Sequence, residues 1–327
     1  MVDFVKLLVI GLEPNDWMKN DRLTFEGKFC HETGLIKSYI ANYGNLSFKI
    51  INERMTIQGS LHKYYNYIRG INAPNHLTTK IDKGFNGNRF NYNALLTVVH
   101  DLQTKFSINP YTSRLNNIET GVNVKLTFST GLVLPSLMLM NGKEFNKPRH
   151  YAFRRAELTQ YDVKAYDKAL QYGIPLEVFR YELKYKRMEI LNDIGIFYLS
   201  DLLNVSKLNR IKEILLKRWN QILFIDPTVD ESILSPIELS RYKDYRNQSW
   251  WMKQKPIRLD RHKKRYYRIE GIYSKQLKKT IQNLIAEEWD KCLMCVTNDT
   301  SSIQSNITHE YKPNLYLDNR ILNTHYL

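Results

Sequence analysis

The chain has 327 residues, of which 43% are hydrophobic and 25% are charged, so it is long enough to bury one large core or two smaller ones. Lys and Arg (48) outnumber Asp and Glu (33), which gives a formal net charge of +15 and favours a polyanionic partner, nucleic acid being the leading class. The sequence contains no run of about 18 apolar residues, so we expect no membrane partner and a cytoplasmic protein.

The three cysteines are too few to build a disulfide framework. Cys292 and Cys295 form a C-x-x-C pair, but no second pair of ligands accompanies it. A chance spacing is therefore favoured over a zinc or redox site.

The first part of the chain alternates between apolar and polar residues as short β-strands do. Residues 2–10 predict a strand that ends at a turn, and residues 25–52 predict further short strands between glycines and asparagines. Residues 55–65 predict another strand. On it, His62 shares a polar face with Thr56, Gln58 and Ser60.

Residues 66–92, rich in Asn and Gly, predict a loop that leads into a helix at residues 90–106. The loop contains GFNGNRF, and Arg89 lies within this motif. Such a loop can cradle a phosphate through backbone amides, and an ordinary turn is an equally good interpretation. Strands are predicted next at residues 115–128, where Glu119 faces outward, and at residues 130–141.

Residues 161–186 predict two strands separated by a break at Gly173 and Pro175. In both strands the apolar side chains share one face. The outward-facing set is Lys164, Tyr166 and Lys168 on the first strand and Arg180, Glu182, Lys184 and Lys186 on the second. A tyrosine hydroxyl, a carboxylate and several cations are the groups needed for tyrosine to attack a phosphodiester. The same alternation is also typical of an ordinary solvated face.

Several motifs resemble, in order, the replication initiators of filamentous phages and related plasmids (the gene II type). They are MVDFVKLLV, GSLHKYYN, GFNGNRFNYNAL, LNNIETGVNV, AYDKALQYG, FRYELKYKRM and Gly-Ile-x-x-Leu-x-Asp-Leu. The resemblance covers roughly residues 1–215. It implies a rolling-circle initiator that nicks one DNA strand and stays joined to the 5′ phosphate, in the cytoplasm of a bacterial host.

In that family the nucleophile is the tyrosine two residues before a lysine, which here implies Tyr166 with Lys168. Because a free tyrosine has a pKa of about 10, a cation or metal must stabilise the phenolate. The resemblance implies Glu119 and Glu182 as carboxylate ligands of Mg²⁺ or Mn²⁺, and His62 is a third candidate ligand. The paired histidines of the wider superfamily are missing, so the metal geometry stays open. A structural role for His62 and salt bridges for the glutamates remain alternatives.

Helical spacing dominates after residue 190, with a predicted helix at residues 205–222 and another at residues 274–289. Between them, residues 253–271 are strongly basic and follow two tryptophans, so we expect phosphate contacts and base stacking there. The predicted DNA-binding residues are Arg261, Lys263, Lys264 and Arg265 in this stretch, with Lys63, Arg89, Lys164, Arg180 and Lys184 nearer the tyrosine.

The sequence therefore predicts an α+β fold, with a largely antiparallel sheet flanked by helices and a smaller helical basic C-terminal region. The expected units are a replication-initiator nuclease domain at residues 1–215, the basic region at residues 216–297 and a polar tail at residues 298–327. The expected function is metal-dependent, site-specific nicking and rejoining of a single DNA strand through a phosphotyrosine intermediate. Its partners would be origin DNA, single-stranded or cruciform, and a host helicase. A mobilisation relaxase and a non-catalytic nucleic-acid-binding protein with the same fold are the alternatives.

Overall fold

A nine-stranded antiparallel sheet flanked by helices forms most of the computed structural model, which describes residues 1–74, 84–146 and 152–294. This confirms the predicted α+β class. The strands are β1 (Val2–Val9), β2 (Glu26–Phe29), β3 (Ile36–Tyr43), β4 (Leu46–Ile51), β5 (Arg54–Ser60), β6 (Arg114–Lys125), β7 (Leu137–Met140), β8 (Lys143–Glu144), β9 (Phe153–Glu157), β10 (Tyr161–Asp167), β11 (Val178–Tyr185) and β12 (Ile222–Phe224). The helices are α1 (Pro14–Met18), α2 (Leu61–Ile68), α3 (Tyr92–Phe106), α4 (Thr130–Val133), α5 (Lys168–Tyr172), α6 (Glu189–Asn192), α7 (Val205–Asn220), α8 (Pro236–Tyr245), α9 (Gln248–Met252), α10 (Pro256–Tyr273) and α11 (Leu277–Leu293).

The large sheet has the strand order β2-β3-β4-β5-β1-β6-β11-β10-β9, which brings the predicted central pair next to β6. In the β10–β11 register, Lys164 lies opposite Glu182, and in the β11–β6 register Lys184 lies opposite Glu119. Directly opposed residues of antiparallel strands share a face. The polar residues of β6, β10 and β11 therefore lie on one face of the sheet, a point that strand alternation alone left open.

The opposite face of these strands is the main hydrophobic core. Phe179 and Tyr181 of β11 are fully buried, and the indole of Trp219 on α7 lies 6.1 Å and 5.1 Å from their rings. Helix α11 covers the same core with Ile281 and Ile285. Each such side chain contributes about 1.5–3 kcal/mol when it is fully removed from water. This packing holds β10 and β11 in a fixed register while their other face carries polar groups.

Three predicted strand segments are wrong, and in each a capping side chain starts a helix instead. Ser60 accepts a hydrogen bond from the Lys63 amide, so residues 61–65, including His62, begin α2 rather than continue a strand. Ser129 caps α4 in the same way, and of the predicted strand at residues 130–141 only β7 forms. Asp167 accepts from the Leu170 amide, so Lys168 is the first residue of α5.

A second core joins the C-terminal helices α8, α9 and α10 to the three-stranded sheet β12-β7-β8. Trp251 and Tyr266 lie fully buried inside it. Helix α11, by contrast, packs on the main core through residues such as Trp289. The domain boundary at residue 215 stays a prediction, and both Cys295 and the predicted tail at residues 298–327 lie outside the described residues. Within the described ranges, no helix combines the length and the apolar character that a membrane span requires.

Candidate active site

A cleft of about 670 Å³ opens on the polar face of β6, β10 and β11. It brings together most of the residues that the sequence singled out near the tyrosine. The predicted residues that line it are Lys63, Glu119, Lys164, Tyr166, Lys168 and Glu182. Asp3, Ser60, Asn86 and Arg155 line it as well, together with the apolar side chains of Phe4, Phe153 and Leu170.

Arg180 is buried beneath the cleft and contacts the acidic residues that line it. Its Nε donates to Glu182 Oε2 at 2.6 Å, its Nη2 to Asp3 Oδ2 at 2.9 Å and its Nη1 to Asn123 Oδ1 at 2.9 Å. A buried guanidinium needs such partners, since an isolated buried charge is very costly. Burial by itself would raise the pKa of Glu182, but the Arg180 guanidinium and the Lys164 ammonium lower it below its usual value. Glu182 is therefore a carboxylate at neutral pH.

Lys164 joins the two predicted carboxylate ligands. Its Nζ lies 3.0 Å from Glu119 Oε1 and 3.1 Å from Glu182 Oε1. Lys184 approaches Glu119 Oε1 from the rim at 3.4 Å. Burial and the neighbouring Glu182 raise the pKa of Glu119. The predicted salt bridge between Glu119 and Lys184 is thus present, and Lys164 is a further partner of Glu119.

Tyr166 is partly exposed in the cleft, and its hydroxyl points toward the Glu182 carboxylate. The hydroxyl donates to Glu182 Oε2 at 3.3 Å, and the Lys168 Nζ lies 5.0 Å from the centre of the ring. Burial raises the pKa of Tyr166 well above its ordinary value, and the Glu182 carboxylate raises it further. The phenol is therefore protonated before substrate binds, and Glu182 is placed to accept its proton.

Lys168 is almost completely buried between two tyrosine rings, those of Tyr166 and Tyr172. Its Nζ donates to Asn86 Oδ1 at 2.6 Å and to Gln171 Oε1 at 3.0 Å. Burial, assisted by the Arg180 guanidinium, lowers the pKa of Lys168 to about 7. A lysine that titrates near neutrality inside a cleft is a feature common at functional sites.

Two buried residues of this network were missed by the sequence analysis. Asp3 on β1 is buried and accepts hydrogen bonds from Ser60, Asn86 and Arg180. Asn86, in the GFNGNRF loop, accepts from Lys168 and from the Tyr172 hydroxyl. The signal for Asp3 was a lone carboxylate in the apolar opening strand, because a buried acid requires a cationic or hydrogen-bonding partner. Asn86 carried no comparable signal.

His62 does not join the carboxylates. Its Nε2 pairs with Asn88 Oδ1 at 2.6 Å and its ring stacks on Phe90 at 5.0 Å, an arrangement typical of a structural histidine. Burial lowers the pKa of His62 to about 3, so the ring is neutral at ordinary pH. Across the described ranges, no group of three or more His, Cys, Asp or Glu side chains is arranged to hold a metal ion. Glu119 and Glu182 do share one cation through their Oε1 atoms, and that cation is the Lys164 ammonium.

The predicted DNA-binding cations fall into separate groups. Lys63 and Lys164 line the cleft and Lys184 lies at its rim, whereas all three guanidinium nitrogens of Arg180 are bonded within the protein. Arg89 forms a bidentate pair with Glu288 on α11, with N–O distances of 2.6 and 3.1 Å. The four residues predicted on the basic helix α10 are exposed or partly exposed, namely Arg261, Lys263, Lys264 and Arg265.

Two aromatic residues of the basic region, Trp251 and Tyr266, are buried and not exposed as predicted. Trp251 stacks on Tyr245 with ring centres 5.0 Å apart, and Trp250 packs against both of these rings. Tyr266 is also buried in the second core. Trp251 and Tyr266 therefore stabilise the fold and are not available to stack on bases. Tyr267, in contrast, is 41% exposed, so the basic side chains and this one ring remain accessible for the predicted DNA contact.

Comparisons with protein-family models, with curated proteins and with solved structures return no match to this chain. The resemblance to gene II-type initiators therefore remains a prediction from the sequence motifs. The function is inferred below from the chemical groups in the cleft.

Proposed function

We propose that this chain is a DNA nicking and joining enzyme that starts rolling-circle replication of a phage or plasmid, with Tyr166 as its nucleophile. One observation carries the proposal: the Tyr166 hydroxyl lies in an open cleft, hydrogen-bonded to the carboxylate of Glu182. The cleft also holds the ammonium groups of Lys164 and Lys168, which would stabilise an anionic phosphate. The ordered initiator-like motifs and the net charge of +15 support the same function.

The chemistry follows from the placement of these groups. The Tyr166 oxygen attacks the phosphorus and its proton passes to Glu182 Oε2. The 3′ oxygen leaves and takes a proton from water to become a hydroxyl, and Glu182 returns its proton to the solvent. The product is a 5′ phosphate ester of the phenol. Because the ester retains the energy of the broken bond, the 3′ hydroxyl can attack it and rejoin the strand. The two oxygens of Glu182 have different partners, since Oε2 accepts hydrogen bonds from Tyr166 and Arg180 and Oε1 pairs with Lys164.

Glu119 and Glu182 are the residues that would hold Mg²⁺ or Mn²⁺, because two carboxylate oxygens converge on one cation position. A bound metal would act as a Lewis acid toward a phosphate oxygen. The imidazole of His62 would not take part, because it is committed to Asn88 and Phe90.

The decisive test is covalent capture. The protein is incubated with a pool of single-stranded DNA and Mg²⁺ or Mn²⁺, and the DNA that remains attached under denaturing conditions is sequenced and mapped to a peptide. We expect the nucleotide on Tyr166 and no adduct in Tyr166→Phe, which keeps the ring and removes only the nucleophilic oxygen.

Tyr161→Phe is the matched control, because Tyr161 lies on the same strand but is buried on the core face, and we expect it to form the adduct normally. A nucleotide on Tyr161 or Tyr172 would refute the assignment of Tyr166. Tight DNA binding with no adduct would indicate the non-catalytic alternative. Replication of an origin plasmid separates an initiator from a mobilisation relaxase.

A further inference from the structure

The position at which Glu119 and Glu182 converge is filled by a side chain of the protein itself. Lys164 Nζ lies 3.0 Å and 3.1 Å from the Oε1 atoms of the two glutamates. The Lys164 side chain is 16% exposed and those of Glu119 and Glu182 are 12% and 3% exposed, so solvent screens these charges only in part.

The sheet register explains why one ammonium reaches both acids. Lys164 lies directly opposite Glu182, whereas Glu119 lies on β6, on the far side of β11. Gly121 is the residue of β6 opposite Glu182, and as a glycine it places no side chain on this face of the sheet. The Lys164 chain can therefore extend over Glu182 and reach Glu119.

An ammonium group and a divalent cation cannot share these oxygens. Mg²⁺ binds carboxylate oxygens at about 2.0–2.1 Å and demands near-ideal octahedral geometry. An ammonium nitrogen near 3 Å from the same two oxygens would lie against that ion, and the two positive charges would repel each other strongly in a poorly solvated site.

We propose that Lys164 and a divalent cation compete for the same two carboxylate oxygens, so that metal binding at Glu119 and Glu182 displaces the Lys164 ammonium into the cleft. The choice of Mg²⁺ or Mn²⁺ rests on the proposed function. The competition between the ion and Lys164 can be measured on the protein without DNA. Lys164 is two residues before Tyr166 on the same face of β10, and its displaced ammonium would remain in the cleft that we propose receives the phosphate. Metal binding would thereby release a cation for the substrate.

The test measures Mn²⁺ binding to the protein alone, by calorimetry and by electron paramagnetic resonance. Lys164→Met removes the competing charge and keeps much of the side-chain length, so we expect its Mn²⁺ affinity to rise about tenfold or more. Lys184→Met is the matched control, since it removes an ammonium group from Glu119 alone, at the more exposed rim. We expect the affinity of this control to change by less than about threefold.

Two further variants keep the test decisive. Lys164→Arg retains the charge and can clamp carboxylates with two hydrogen bonds, so it should fold and bind Mn²⁺ no more tightly than wild type. Adding Glu182→Gln to Lys164→Met should abolish the gain. An unchanged affinity in Lys164→Met, an equal gain in Lys184→Met or tighter binding by Lys164→Arg would each overturn the proposal. Failure of adduct formation would count against the proposed function and leave this result untouched.

Discussion

Replacing Lys168 with methionine should make the protein more stable. Lys168 is almost fully buried, and burial with the nearby Arg180 guanidinium lowers its pKa to about 7. Below this pKa, the buried protonated amine therefore destabilises the folded state. Methionine has a similar length and no charge, so it avoids this destabilisation. The variant loses two hydrogen bonds, to Asn86 and Gln171. Asn86 Oδ1 keeps the hydrogen bond from the Tyr172 hydroxyl.

The magnitude follows from the pKa. The difference between the ordinary value of 10.5 and about 7 corresponds to about 5 kcal/mol of destabilisation while the amine is protonated in the folded state. The two lost hydrogen bonds offset roughly 2 kcal/mol of this. We expect Lys168→Met to be more stable than wild type by about 2–4 kcal/mol at pH 6.

The sign of the pH dependence is fixed by the same numbers. Between pH 7 and 10.5 the unfolded chain binds a proton that the folded chain does not, so wild-type stability rises with pH in this window. The advantage of the variant should therefore shrink by about 2–3 kcal/mol between pH 6 and pH 9. Urea unfolding of both proteins at the two pH values measures this difference.

Lys6→Met is the control, because Lys6 is exposed on β1. We expect it to change stability by less than about 0.5 kcal/mol at either pH. A Lys168→Met variant that is less stable than wild type at pH 6, or whose advantage does not change with pH, would refute the reasoning. Loss of adduct formation in a more stable variant would show that Lys168 is retained for function.

Two other predictions concern the sheet and the basic helix. Gly121→Ala would place a Cβ 2.3 Å from the Tyr181 carbonyl oxygen and 2.5 Å from Glu182 Cβ, so we expect about 1–3 kcal/mol of destabilisation together with slower adduct formation. Gly271→Ala on α10 meets no atom within 4 Å and should be neutral or stabilising in the same thermal unfolding assay, so equal melting temperatures for the two variants would contradict the packing argument. Charge reversal on α10 should weaken DNA binding and flatten its salt dependence, while adduct formation on a short oligonucleotide changes less. The residues to reverse are Arg261, Lys263, Lys264 and Arg265. An unchanged slope of log affinity against log salt would show that the helix does not contact phosphates.

The sequence predicted the central strands well because alternation in β6, β10 and β11 is strong and their apolar residues belong to one core. It placed Glu119, Tyr166 and Glu182 on polar faces, and the structure brings them to one cleft. It failed at segment ends, where a single serine or aspartate cap decides between strand and helix. His62 was misplaced for this reason, since Ser60 starts α2 just before it.

The long-range partners could not be predicted in the same way. Asn86 reaches Lys168, and Asp3 reaches Arg180, across 82 and 177 residues of sequence. No local pattern encodes such contacts, because they depend on how the strands are ordered in the sheet. Trp251 and Tyr266 were misinterpreted for a related reason. Interleaving with Lys and Arg suggested exposure, but α10 is amphipathic and buries Tyr266 against the second core.

Under the proposed function, the distribution of charge would separate bond breaking in the cleft from the binding of DNA. The cleft is lined by four acidic and four basic residues, so its formal charge is close to neutral before substrate arrives; they are Asp3, Glu119, Asp167 and Glu182, and Lys63, Arg155, Lys164 and Lys168. A site of this kind can orient and activate one phosphate, but it provides little of the counterion release that dominates non-specific DNA binding. Helix α10, in contrast, carries six Lys and Arg residues and two acids, and most of its basic side chains are exposed. Under the proposed function, most of the DNA-binding energy should therefore come from α10, whereas bond breaking occurs at Tyr166. Changes on α10 should weaken DNA binding with little effect on adduct formation, and changes at Tyr166 should abolish the adduct with little effect on binding.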